Sequence, residues 1–269
     1  MAKLSKVKTQ RKTILEDFTG FLELLNTECP KHGAIVVSGH ACTHWILKYR
    51  DRAWPGEEIR AVSGKDLDLL VAPKVVGKYY FDREEYEPGY IYIKDMLFLL
   101  ARRFVIRRPI TPMAPHFIVR MGQVKAWNSS GKGAVYVDFF AHPFGWHPGH
   151  VRKWSVVEDV GGVNCVMMNP VHCLWNFILA AAVLNQREGD AGKRFRKDHR
   201  RAGRLIPVVK EWLTDLQNGV YPDSPRQLKG ALEDLKRIRK NKLTARIESD
   251  LETRLEECLP ESLSGSLGP

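Results

Sequence analysis

The sequence has no apolar run approaching the roughly 18 residues that a membrane-spanning helix needs. Its basic opening, MAKLSKVKTQRK, leads into no apolar stretch of the signal-peptide kind. Membrane insertion and secretion are therefore not expected. There is no CxxC pair either, and the five cysteines, Cys29, Cys42, Cys165, Cys173 and Cys258, are odd in number and scattered. That pattern argues against a disulfide framework and for a reducing, cytoplasmic setting. No internal repeat is visible. Negative charge is scarce: 31 Asp and Glu face 42 Lys and Arg, a formal net charge of +11. Such a surplus suits polyanionic partners, because clustered cations release counterions from a phosphate backbone. A solvated basic surface would give the same count.

What is present suffices for a sizeable core, with 44% hydrophobic and 10% aromatic residues in 269. TILEDFTGFLELLNTEC has the apolar spacing of an amphipathic helix. HGAIVVSG then reads as a short buried strand running into a small-residue turn, and HACTHWILKYR as a helix that begins at once. DLDLLVA follows as a strand, YIKDMLFLLARRF has helical spacing, and HFIVRMGQV and AVYVDFFA read as strands joined through NSSGKG. From Asn169 onward the patterns are long and helical. The expected fold is therefore α+β, a mixed sheet flanked by helices in residues 1–165, then a mainly helical domain in residues 166–260 that closes a cleft. The Ser- and Gly-rich tail, 261–269, is expected to be disordered.

The stretch AVSGKDLDLLVAP puts two aspartates inside an apolar run. Side chains two apart in a strand share a face, so Asp66 and Asp68 project together while Leu67 and Leu69 face the core. Two like charges held side by side call for a cation, and an all-oxygen pair suits Mg²⁺. Asp138, in the middle of AVYVDFF, is a third carboxylate. On an adjacent antiparallel strand it would complete a triad that bridges two ions. Upstream, VVSGHA supplies a strand, a Ser-Gly turn and a helix N-terminus, whose free amides and dipole suit a triphosphate. On its own a DxD pattern is weak, and a solvated sheet face would also display it.

The ordered set SGHA, KDLDLL and VDFF resembles the nucleotidyltransferase superfamily related to DNA polymerase beta. Within it the chain is most similar to bacterial nucleotidyltransferase toxins of the abortive-infection, type IV toxin–antitoxin kind, through SGHACTHW, SGKDLDLL, NPVHCLWNFILA and KRFRKDHRRAGRL. Ser38 stands where the family's turn has its first glycine, and His40 where a small or hydroxylated residue is usual. The resemblance implies a nucleotidyltransferase-type sheet and transfer of a nucleoside monophosphate from an NTP to an acceptor hydroxyl. Ser38, Gly39 and His40 would lie on the nucleotide, with Lys65, Lys193 and Lys197 neutralising phosphate. Asp66, Asp68 and Asp138 would be the catalytic, metal-binding acids, with two Mg²⁺ ions or Mn²⁺ in their place. RNA, including the tRNA 3′ end, is the implied acceptor and an antitoxin protein an implied partner. Nucleotidylation of a protein or small molecule is the alternative activity, and a catalytically silent binding member of the fold the alternative class.

Three further signals remain. GKRFRKDHRRAGR carries seven cations over about three helical turns, too many for one face. One side is expected to address the nucleotide, and Arg194, Arg200, Arg201 and Arg204 the backbone of a nucleic acid. It lacks the aromatic interleaving of a single-strand stacking platform. HPFGWHPGH brings His142, His147 and His150 close, with Cys165, His172 and Cys173 further on. The spacing matches no standard zinc pattern, so these are set aside. His40 and His44, four apart on a helix, have no third ligand in sight and read as packing residues.

Overall fold

The computed structural model describes Phe18, residues 22–23, 34–58, 66–70, 104–107, 119–127, 134–143, 145–184 and 190–268. Three apolar residues make β1, Ile35–Val37, buried along its whole length. The chain turns straight into α1, Ser38–Ala53, with no intervening loop. Ser38 accomplishes this at φ 58°, in the left-handed region that favours glycine. β2, Asp66–Leu70, follows, then β3, Phe104–Arg107, β4, Val119–Trp127, and β5, Ala134–His142. A short helix α2, Pro148–Lys153, leads into the hairpin of β6, Val156–Val160, and β7, Val163–Met167. Alternation of buried Val156, Glu158 and Val160 with exposed Val157 and Asp159 marks β6 as a strand with one covered face.

These strands form one sheet in the order β3-β4-β5-β2-β1-β7-β6. The pairs β2/β5 and β1/β7 are parallel and the others antiparallel, so the sheet is mixed. Helical structure then takes over: α3, Pro170–Leu184, α4, Asp190–Gln217, α5, Ser224–Arg239, and α6, Lys242–Leu251. The described part of α3 is buried almost all round, as expected of an apolar central helix. The long α4 packs against both α1 and α3. Buried residues of the sheet and of the helices form one continuous core, including Trp45, Leu67, Leu69, Met167, Leu174 and Trp212. No described helix is long and apolar enough to cross a membrane.

The α+β class, the mixed sheet and the helical C-terminal part agree with the expectation. Three details differ. β5 runs parallel to β2, not antiparallel. The hairpin of β6 and β7 had no place in the expected order, although Gly161 and Gly162 between two Val-rich runs are the usual hairpin signal. The tail expected to be disordered is laid against the helices: Glu261–Leu263 form a 3₁₀ turn, Leu267 is buried, and Arg239 donates to the Gly268 carbonyl. The expected N-terminal helix lies outside the described residues except for Phe18, Leu22 and Glu23, of which Phe18 and Leu22 are buried. Of the helical stretch expected at 92–104 only Phe104 is described, and it opens β3.

Candidate functional site

The site is built from neighbouring strand positions. Asp68 pairs in register with Val37 of β1 on one side and with Asp138 of β5 on the other. Adjacent strands stand about 4.8 Å apart, and register partners share a face. Asp66, two residues earlier on β2, lies on that face too and opposite Tyr136. Because β1 is antiparallel to β2, stepping back from Asp68 to Asp66 moves toward the end of the sheet where α1 begins. The intervening Leu67 and the following Leu69 are fully buried. Leu67 and Leu69 thus anchor the strand in the core, while Asp68, at the alternate position, is half-buried.

The start of α1 is electropositive. Its first turn has no acidic residue and no side-chain cap, so the amides at its N-terminus carry the positive end of the dipole without a counter-charge. Gly39 is pressed against Arg201 of α4, and a Cβ added there would stand 3.1 Å from Arg201 Nη2. Arg201 is 5% exposed. Its guanidinium lies 5.0 Å over the Phe177 ring, and Nη1 is 3.6 Å from Asp198. Its Nε has no hydrogen-bond partner among the described residues. Cys42, one turn into α1, senses the same charges. Burial pushes its thiol up to about 12, Arg201, Arg204 and Lys197 pull it down, and Asp198 adds to the rise. Positions 197, 201 and 204 are spaced i, i+4, i+7, so one stripe of α4 faces the start of α1.

The cations of the basic helix do not share one environment. Arg201, assigned from sequence to a nucleic-acid backbone with Arg194, Arg200 and Arg204, turns inward onto the Ser38–Gly39 turn, because the α4 face that packs on α1 is the one that carries it. Arg196 and Arg200 are exposed, as is Lys197, and Arg204 is half-buried. Lys193 and Arg194 lie on the first turn of α4, and their side chains are outside the described residues, as is Lys65 altogether. His40 is fully buried and packs edge-on to Phe18, ring centroids 5.2 Å apart, which makes it part of the core and not of an open cleft.

No protein-family model matches the chain, and no curated protein matches it. Among solved structures, it is similar to an antigenic nucleotidyltransferase-like protein from Paracoccidioides brasiliensis. The two share 14% identity over 94% of this chain and 99% of that one, at a TM-score of 0.44. A likeness that distant carries no argument about the site, whose chemistry rests on the residues themselves.

Sequence reasoning passed over other polar groups that the structure draws together. His44 and Lys48 of α1 both reach Glu158 of β6, at 3.0 Å and 2.7 Å. Tyr49 donates to Asp215 at 2.9 Å, and Arg52 reaches Asp215 at 2.7 Å. These contacts fasten the far end of α1 to the sheet and to α4. The histidines set aside for want of a standard zinc spacing do not all stay apart: His150 and His172 meet at Asp234, which no spacing rule had linked to them. Cys165 and Cys173 take no part, their thiols pointing to the Val163 and Met168 carbonyls.

Proposed function

We propose that the chain is a metal-dependent nucleotidyltransferase that moves a nucleoside monophosphate from an NTP to an acceptor hydroxyl, with pyrophosphate leaving and RNA as the acceptor. The observation that carries the reading is the row Val37, Asp68, Asp138 across three adjacent strands, with Asp66 on the same face and a helix N-terminus one residue past Val37. An acid face and an anion-receptive turn side by side are what a nucleoside triphosphate with its counter-ion requires.

The donor set is all oxygen, which fits Mg²⁺, with Mn²⁺ the second choice. Asp66, Asp68 and Asp138 would hold it, and when bound it supplies charge neutralisation at the reacting phosphate. The chain's own groups do the rest. Amides at the start of α1 receive the phosphate oxygens, and Gly39 lets that backbone approach closely. Arg201, held by Phe177 and Asp198, places a fixed positive charge beside the turn, where Lys197 and Arg204 reinforce it. Catalysis of this class depends chiefly on such positioning and charge stabilisation. Arg196 and Arg200, exposed on the outer side of α4, suit the acceptor's backbone.

The test is transfer of label from an α-labelled NTP to RNA by purified protein with Mg²⁺. Wild type should label the RNA, and Asp68→Asn and Asp138→Asn should each lower the rate by at least about 10²-fold with the fold retained. Label appearing on a protein or small molecule instead of RNA would move the reading to that acceptor class. No transfer from any of the four NTPs, with RNA binding intact, would leave a non-catalytic binding protein.

A further inference from the structure

We infer that His150, His172 and Asp234 form a zinc site, separate from the acid row and chemically distinct from it. The three residues come from α2, α3 and α5, and one ligand atom from each lies within 4.8 Å of the other two. His150 Nε2 is 2.9 Å from both Asp234 oxygens, and His172 Nε2 is 2.9 Å from Oδ2. A tetrahedral zinc with bonds of about 2.0–2.2 Å sets its ligand atoms roughly 3.3 Å apart. The two histidine–carboxylate separations thus fall a few tenths of an ångström short of that spacing, and all three ligand atoms lie within 4.8 Å of one another.

Both rings are held in place. Trp146 lies against both, 4.3 Å from His172 and 5.3 Å from His150 between centroids, and its own indole N–H donates to the His172 carbonyl. His172 is further fixed at the start of α3, where the Asn169 side chain accepts its backbone N–H at 2.8 Å. On His172 the engaged ring nitrogen is Nε2, since Nδ1 has no partner among the described residues. His150 Nε2 sits equally between the two oxygens of the Asp234 carboxylate, facing both at 2.9 Å.

Charge and chemistry select the ion. Asp234 is 3% exposed and its carboxylate faces both imidazoles at 2.9 Å. Two imidazoles and one carboxylate suit zinc and its transition-metal neighbours, whereas Mg²⁺ and Ca²⁺ prefer oxygen alone. His150 also lines a cavity of about 620 Å³ with Trp146, Trp175, Lys153, Arg237 and Asn241. Water in that cavity would supply the fourth ligand, which makes the site an open one.

Untagged protein stripped with a chelator and desalted should take up one equivalent of Zn²⁺ in calorimetric titration. Co²⁺ in its place should give the intense visible bands of a tetrahedral N/O site. His150→Ala, at the more exposed ligand, and Asp234→Asn, of unchanged shape, should each weaken zinc binding by more than the roughly 10–100-fold that loss of an outer-shell partner costs. Asp68→Asn should leave it unchanged, which separates this site from the proposed reaction. No zinc uptake by wild type would overturn the inference and leave a hydrogen-bonded His-Asp-His cluster. So would uptake that survives either ligand substitution within that factor, or uptake lost in Asp68→Asn.

Discussion

At the scale of single residues, two backbone positions shape the start of α1. Ser38 holds a left-handed φ of 58° where glycine would be at ease, and Gly39 leaves room for a guanidinium where any side chain would intrude. The second makes a sharp prediction. In Gly39→Ala the new methyl would meet Arg201 Nη2 at 3.1 Å, so the guanidinium must shift by a few tenths of an ångström from the turn it supports. NTP affinity, read by calorimetry with Mg²⁺ present, should drop by about tenfold or less, equivalent to a charge-assisted hydrogen bond weakened by about 1 kcal/mol. Arg201→Lys should do at least as much harm, since an ammonium cannot lie over Phe177 and face the turn at once. Unchanged NTP affinity in both variants would remove Arg201 from the phosphate site.

At the scale of elements, polar side chains decide where helices begin and how they are fastened. Asn169 accepts the His172 amide at the first turn of α3 and donates to the Trp154 carbonyl at 3.0 Å. Asn169→Ala removes both and should lower stability by about 1–2 kcal/mol in urea melts. Glu158 does the same service for α1. Burial acts to raise its carboxyl, but hydrogen bonds and charge from His44 and Lys48 prevail and keep it below its ordinary 4.5. A carboxylate depressed in the folded state lends stability above its unfolded pKa and loses it as the pH falls through the folded one. Stability should therefore decline as the pH drops below about 4.5, and the decline should be shallower in Glu158→Gln. Equal slopes for the two proteins across that window would show that Glu158 carries none of the acid sensitivity.

At the scale of the whole molecule, the net charge of +11 meets a helix whose cations divide between two faces. Inward Arg201 is bound up with the turn, while Arg196 and Arg200 point outward. If RNA is the acceptor, its affinity should fall steeply with salt. Arg196→Gln with Arg200→Gln should reduce the slope of log K against log salt by roughly 0.7 for each phosphate that is no longer neutralised. NTP binding should be untouched. A slope identical to wild type would mean that RNA, if bound, lies on another surface.

Much of this was legible in the linear sequence because it is encoded over short distances. Three consecutive apolar residues ending in a small-residue turn make β1 and α1, period-two alternation puts Leu67 and Leu69 under Asp66 and Asp68, and the 3.6-residue pattern lays out α3 to α6. The Gly161–Gly162 hairpin was equally local. Tertiary structure alone decided what depends on partners remote in the chain. Strand order made β5 a parallel neighbour of β2 and brought Asp138 into register with Asp68, although nothing in either strand specifies its neighbour. Helix packing selected which cations of α4 face inward, since seven cations crowded into about three turns surround the helix and mark no single face. His150 and Asp234, 84 residues apart, meet only because α5 folds back across α2 and α3. Local periodicity sets which face an element buries, but the identity of what lies against that face is a property of the assembled core.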